Sequence, residues 1–486
     1  MRVLLVQPDC VTSKKSLVPG FDESNVLEPL GLEYLAAYLL DHGHEVDILD
    51  MRIDGNLTKA IKKFKPEIIG TSCNYTTNVN LIKDLITEIK KFDSGIKVVV
   101  GGHVATFLAH EFLSESEVDF VVRGDGELAF QELVGVLVKG GEVSQVKNIS
   151  FVKDGKEIHN PVRDLMPLEE LKAPARHLVD KYRKKYSSFY WRSVGTIDTT
   201  RGCPYNCNFC SVWKFSQQKY RVKSPEKVVN ELEQMPEKYI VFCDNNFLEN
   251  TTRAEKIYQL IKEKGIQKKY YFIARSDTIA RNPDLIRKWR EIGLLEVFVG
   301  FEAISSEALN KMNKRNTIEN NEKATKILAD NGIITFGSFI ILPEFEENDF
   351  KALLNYVKKL DKENSHLFYP MFSILTPLPG SDLYQEQKNK ITTKNYDLYN
   401  NVNIILPTKL PKKKFEKLYV KLYSKTYNLL KLARMHLNKA FVPSTLSFIQ
   451  FSFKHGLPWF LWKFKKPQTC LFIALVIAGF VLVYLL

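Results

Sequence analysis

Short apolar runs alternate along this chain with stretches whose apolar residues recur at helical spacing. In the first 140 residues the runs predict strands over 3–6, 46–49, 68–71, 98–100 and 120–122. Helical periodicity between them predicts helices over 32–41, 57–64, 79–92, 106–113 and 128–139. Such alternation predicts a doubly wound α/β domain with a parallel sheet. Next come a hairpin pattern, 149–152 and 157–159 turning at Asp154-Gly155, and a connector interrupted by Pro161, Pro167 and Pro174. Strand–helix units resume at Val194, with strands over 239–243, 271–274, 297–301, 335–341 and 368–375. Ser224-Pro225-Glu226 marks a helix start, a capping hydroxyl followed by proline in the first turn.

The last part changes character. Residues 415–435 repeat Lys, Tyr and Leu at helical spacing. Such a basic amphipathic helix suits an anionic membrane surface or, for its first half, the underside of the preceding domain. Residues 470–486 carry no charge, and Trp459, Trp462, Lys463, Lys465 and Lys466 precede them. That pattern predicts a spanning helix with its basic side in the cytoplasm. The expected division is 1–145, a hairpin and linker over 146–190, a second α/β domain over 191–394, a basic helical segment over 395–468 and a membrane anchor over 469–486. The expected localisation is membrane-anchored, with the body in the cytoplasm. The N-terminus reads as a strand and not as a signal peptide.

Charge sharpens this division. Of the net +13, the stretch from Lys409 onward supplies all, with fourteen Lys or Arg against Glu416. The rest balances, which argues against a nucleic-acid-binding body. Seven cysteines in 486 residues form no disulfide framework and imply a reducing compartment.

Three of them, Cys203, Cys207 and Cys210, fall within eight residues, in a loop opened by Arg201-Gly202. Three soft thiolates so close suit iron–sulfur or zinc. A closed zinc site needs a fourth ligand, and the nearest upstream Cys or His is His177. A three-thiolate [4Fe–4S] cluster instead leaves one iron open.

The spacing C-x3-C-x2-C, with Phe209 before the last cysteine, resembles the radical S-adenosylmethionine (SAM) superfamily. The resemblance implies a partial (β/α)6 barrel, a [4Fe–4S] cluster on the three cysteines, SAM on its open iron, and a reducing partner such as flavodoxin or ferredoxin. It also implies SAM contacts at Phe209, at Asp244-Asn245-Asn246 after the second strand, at Arg275 after the third, and at Gly300 and Glu302 after the fourth. An ion pair between Arg275 and Glu302 across the barrel mouth is the plainer alternative for those two.

In the first domain the strand-end loops Thr71-Ser72, Gly101-Gly102 and Gly124-Asp125-Gly126-Glu127 resemble the cobalamin-binding domain of one radical SAM class. No Asp-x-His-x-x-Gly follows the first strand, so the resemblance implies cobalamin without a histidine ligand. His42, His44 and His103 read as surface or turn residues. The segments 210–213, 219–225 and 375–380 resemble lipid-acting members of that class such as the hopanoid C-3 methylases. This likeness implies C-methylation of an unactivated lipid carbon, in which a 5′-deoxyadenosyl radical takes hydrogen and cobalamin supplies the methyl group. Ring closure, oxidation or carbon–carbon coupling of a lipid without methyl transfer is a second reading, and a tethered cobalamin or redox sensor a third. No catalytic acid, base or hydrogen donor is identifiable.

Overall fold

The computed structural model describes residues 1–9, 25–188 and 191–427. Strands β1 (Arg2–Gln7), β2 (Glu45–Asp50), β3 (Ile68–Ser72), β4 (Lys97–Gly101) and β5 (Phe120–Val122) pair in parallel in the order β2-β1-β3-β4-β5. Side-chain alternation sends Leu4, Val6, Val98 and Val100 to one buried face, and Val3, Leu5 and Val99 to the other. Burial on both faces explains why these strands read as continuous apolar runs. Helices α1 (Leu30–Asp41), α2 (Leu57–Phe64), α3 (Val79–Phe92), α4 (His103–Phe107), α5 (Ala109–Glu115) and α6 (Glu127–Lys139) supply the covers. The single helix expected over 106–113 is two, broken at Leu108.

The hairpin β6 (Ile149–Lys153) and β7 (Lys156–His159) extends this sheet antiparallel to β5, beyond its expected place in a connector. Its turn residues Asp154 and Gly155 both adopt positive φ, 52° and 73°, as a two-residue hairpin turn requires.

The second sheet begins with β8 (Val194–Ile197). The short strands β9 (Thr200–Arg201) and β10 (Arg221–Val222) follow, enclosing the helix α7 (Val212–Phe215). The sheet continues through β11 (Tyr239–Phe242), β12 (Lys269–Ala274), β13 (Leu294–Glu302), β14 (Ile334–Ile341) and β15 (Phe368–Ile374). The six long strands run parallel in sequence order, and among the described residues β8 does not pair with β15, which leaves an open, partial barrel. Helices cover the outer face over a core that includes Phe242, Phe272, Trp289 and Phe339. The inner face keeps its own cluster, among them Val241, Leu295, Phe336 and Tyr369. Ser224 caps the helix α8 (Pro225–Gln234), accepting from the Lys227 amide at 3.2 Å.

The helix α9 (Lys412–Thr426) takes the second of the two places its sequence allowed, the underside of the preceding domain, and not a membrane surface. It buries Phe415, Tyr419 and Leu422 against the barrel, and Tyr419 Oη donates to the Phe372 carbonyl at 2.7 Å. Its apolar stripe is therefore spent inside the protein. The membrane-anchored localisation is corrected, because among the described residues no helix is long and apolar enough to cross a membrane. The segments 428–435 and 469–486, on which the remaining expectations fell, lie outside the described residues.

Candidate functional site

The cysteine loop is held at its base by three devices. Thr200 and Arg201 pair antiparallel with Val222 and Arg221, so β9 and β10 clasp the segment carrying all three thiols. The buried Asp244 carboxylate accepts from the Thr199 and Thr200 amides at 2.6 and 2.8 Å. Its burial raises its pKa to about 6, against the pull of those bonds. Gly202, at φ +93°, turns the chain where an added Cβ would stand 2.1 Å from the Lys219 carbonyl, so only glycine fits. Asp198, behind the loop, accepts from Tyr34 and from Lys223 at 3.0 Å.

Cys203 and Cys210 are partly exposed and Cys207 is buried. Burial pushes all three thiols up, Cys210 to about 11, while Lys314 and Arg275 pull Cys207 the other way. Three cysteines on one clasped loop supply the three thiolates that a [4Fe–4S] cluster takes, each on its own iron.

The carboxyl ends of the barrel strands surround this loop. Arg275 does not pair with Glu302. Its Nε donates to Asp277 at 2.9 Å, its Nη2 to the Lys314 and Arg315 carbonyls at 2.8 and 3.0 Å, and its guanidinium lies 3.6 Å from the Tyr205 ring centroid. Glu302 takes Lys314 instead, at 2.8 Å. The expected pair across the mouth is thus replaced by two separate pairs, because a register shift between Gly300 and Glu302 turns Glu302 back at φ 64°. Gly300 makes room for it, since a Cβ there would meet Glu302 Oε1 at 2.3 Å. Asn246 is buried and accepts from the Arg275 amide at 3.3 Å, whereas Asn245 is exposed. Phe209 is partly exposed in the loop.

On the first domain, a cleft of about 210 Å³ opens over the ends of β3, β4 and β5. Leu32, Leu35, Val99, Val122 and Phe130 make its apolar depth, and Thr71, Ser72, Gly101, Gly102, Gly124, Asp125, Gly126 and Glu127 lie around it. All eight first-domain positions expected from the sequence meet here. A Cβ at Gly102, φ +97°, would meet Asn74 Oδ1 at 2.6 Å and Ser72 Oγ at 2.8 Å, so bare backbone lines the cleft. An apolar depth below a glycine-edged polar mouth fits a large ligand with a flat apolar tail. Some expected groups are already occupied. Thr71 Oγ1 donates to the Val6 carbonyl at 2.9 Å. Glu127 pairs with Arg201 at 2.8 Å, and Asp125 with Arg221 at 2.8 Å.

Those arginines belong to the strands that clasp the cysteine loop, so the two candidate sites share a wall. Arg201 and Phe215 line the cleft from the second domain. Sequence reasoning missed this junction, together with Tyr205 and Lys314. It read His103 as a surface or turn residue; His103 stands at the turn into α4, with its ring packed between Phe107 and Phe215. The signal for Arg201 was its place beside the cysteines; of its partner acids Asp198 is three positions away, but those across the junction, Asp125 and Glu127, lie over seventy positions away.

Residues 24–134 match the B12 binding domain family and residues 197–357 the Radical SAM superfamily. The chain is 28% identical over 456 residues to the hopanoid C-3 methylase of Methylococcus capsulatus, covering 90% of this chain and 84% of that one. It is 32% identical over 425 residues to an uncharacterized methyltransferase of Pyrococcus horikoshii, covering 84% and 88%. It is 28% identical to an anaerobic magnesium-protoporphyrin IX monomethyl ester cyclase of Rubrivivax gelatinosus, covering 84% and 73%. Among solved structures, the cobalamin-dependent SAM radical enzyme OxsB superposes with a TM-score of 0.68 at 17% identity, over 93% of this chain and 74% of that one. The methyltransferase TsrM from Kitasatospora setae does so at 0.65 and 17%, over 87% and 88%. At such identities these two superpositions speak for the fold.

Proposed function

Since the chain belongs to the cobalamin-dependent radical SAM enzymes, we propose that it C-methylates an unactivated carbon of an apolar, lipid-type substrate. One observation carries the proposal: the cleft and the cysteine loop share a wall at Arg201 and Phe215, beside a barrel whose inner face is apolar. Across that face Ile273, Phe298, Phe336 and Tyr369 stand in register on neighbouring strands. An inner face of this composition suits hydrocarbon better than a charged substrate. The relative that acts on hopanoid C-3 agrees with that choice.

When bound, the cluster and SAM supply a radical that removes hydrogen, and cobalamin supplies a methyl group. The chain's own residues bind, orient and exclude. Cys203, Cys207 and Cys210 would hold the cluster as thiolates, with Lys314 and Arg275 lowering the cost of negative charge at Cys207. Phe209, Asp244, Asn245, Asn246, Arg275, Gly300 and Glu302 would surround SAM in this reading. Of these, Asp244, Arg275 and Glu302 serve through their braces rather than as free ligands. The backbone at Gly101, Gly102, Gly124 and Gly126 would cradle cobalamin, and the apolar depth around Phe130 would take its tail. The enzyme draws electrons from a reducing partner, such as flavodoxin or ferredoxin.

The test is anaerobic reconstitution with SAM labelled in its methyl group, followed by analysis of lipid extracts. A lipid carrying the intact labelled methyl is expected. Cys207→Ala should lose iron and all 5′-deoxyadenosine formation while keeping the first domain folded. Retained cleavage of SAM in that variant refutes the ligand assignment. The cyclase relative favours a second reading, ring closure without methyl transfer. An oxidised, unlabelled product would establish it.

A further inference from the structure

His103 follows the Gly101-Gly102 pair and begins α4, yet its side chain leaves the first domain. Its Nε2 shares a hydrogen bond with Ser211 Oγ at 2.7 Å, and Ser211 is the residue after Cys210. Its ring stacks on Phe215, centroids 4.6 Å apart and planes 26° from parallel. Phe107 closes over it edge-on at 5.5 Å. Its backbone amide donates to Asn74 Oδ1 at 3.2 Å, which fixes the loop from which the side chain departs. One imidazole therefore touches the turn that leaves the last cysteine, the aromatic wall of the cleft, and the glycine loop beneath it.

We infer that His103 is a positioning residue, a strut that holds the cobalamin cleft and the cluster loop in register. The inference rests on the proposed binding of cobalamin and cluster at these two sites. Hydrogen removal and methyl delivery at one carbon require the two bound groups at a fixed separation, and a strut at their junction sets that separation without touching either reacting centre. Beside the cysteine loop the other contacts between the domains include ion pairs on long side chains, Arg201 with Glu127 and Arg221 with Asp125. A stacked ring with one hydrogen bond has fewer free torsions and sets distance more tightly. Burial also keeps the imidazole neutral, pushing its pKa down to about 4, so the bond does not change character through the neutral range.

The experiment uses the full chain with cluster and cobalamin, in wild-type, His103→Phe and Ser211→Ala forms. The phenylalanine keeps a ring on Phe215 and loses the bond, and the alanine removes only the bond. Iron and cobalamin contents are measured first. Electron paramagnetic resonance then follows the relaxation of cob(II)alamin with the cluster oxidised and with it reduced, which reports how closely the two spins sit. Both variants should hold wild-type amounts of each cofactor, and both should lose the relaxation enhancement that the reduced cluster causes. Label transfer from SAM into lipid should fall about 100-fold, the penalty of an ångström-scale misplacement. Wild-type enhancement in both variants overturns the strut and leaves the cofactor reading standing. Loss of either cofactor from Ser211→Ala overturns it too, since the contact would then retain a group rather than set a distance. Wild-type protein that takes up no cobalamin overturns both.

Discussion

At the scale of single residues, the buried acid Glu33 shows how the junction between the domains constrains chemistry. Both its carboxylate oxygens are buried without a hydrogen-bond partner, and its nearest cation, Arg176, stands at 3.9 Å. Burial, reinforced by Glu28, raises its pKa to about 8. An acid whose folded pKa exceeds its unfolded value binds more protons folded than unfolded. Glu33 therefore opposes stability progressively as pH rises from about 4.5 towards 8. Glu33→Gln is expected to flatten the fall in melting temperature between those limits and to raise it at the alkaline end. Scanning calorimetry across pH checks this, and parallel curves for the two proteins would refute it. The sequence did set Glu33 apart from the exposed glutamates on helices, because its helix neighbours are apolar on every side, as in a helix buried all round.

At the scale of elements, α9 depends on paired polar groups as much as on apolar burial. Tyr423 Oη donates to the Phe372 carbonyl at 2.9 Å and accepts from the Phe372 amide at 3.0 Å, so one hydroxyl completes the edge of β15. Tyr423→Phe leaves that amide buried and unpaired, at a cost of about 1–3 kcal/mol. Urea unfolding should show this loss with an unchanged denaturant slope. Here the sequence was legible in period but not in destination. Helical spacing identified the element, and its basic face suited lipid as well as it suited solvent. Only the tyrosine hydroxyls, aimed at a strand edge, decide for the barrel. The strands were easier to read, since apolar runs bounded by Gly, Asp and Pro mark buried parallel strands whatever their order. The split at Leu108 and the register shift at Gly300 escaped because both follow from tertiary packing. Spacing alone found the three cysteines, and strand-end loops found the cleft. The sequence pointed to Arg275 and Glu302 as well, but Lys314, the partner of Glu302, follows from that register shift, whereas Asp277 pairs with Arg275 two residues away.

At the scale of the molecule, the two cofactor domains share a buried ionic core that should make them unfold as one. Arg176, in the connector, donates to Glu28 ahead of α1 at 2.6 Å, to Glu231 of α8 at 2.7 Å and to the Thr196 carbonyl of β8 at 2.8 Å. Glu28 also accepts from the Thr196 amide at 2.6 Å, so the first domain's entry helix and the second domain's first strand meet on one carboxylate. A deeply buried guanidinium with three such partners is costly to desolvate, and its value lies in specifying one docking geometry. Removing it leaves the buried Glu28 carboxyl without its guanidinium partner, a loss of about 3–5 kcal/mol. That loss falls on the interface rather than on either sheet, whose cores lie elsewhere. Arg176→Met is therefore expected to split a single calorimetric transition into two, with the lower one shifting most. Added cobalamin, bound beside the same junction, should draw the two transitions together again by mass action. A single transition merely displaced to lower temperature would mean that the domains cohere through the Arg201 and Arg221 pairs instead.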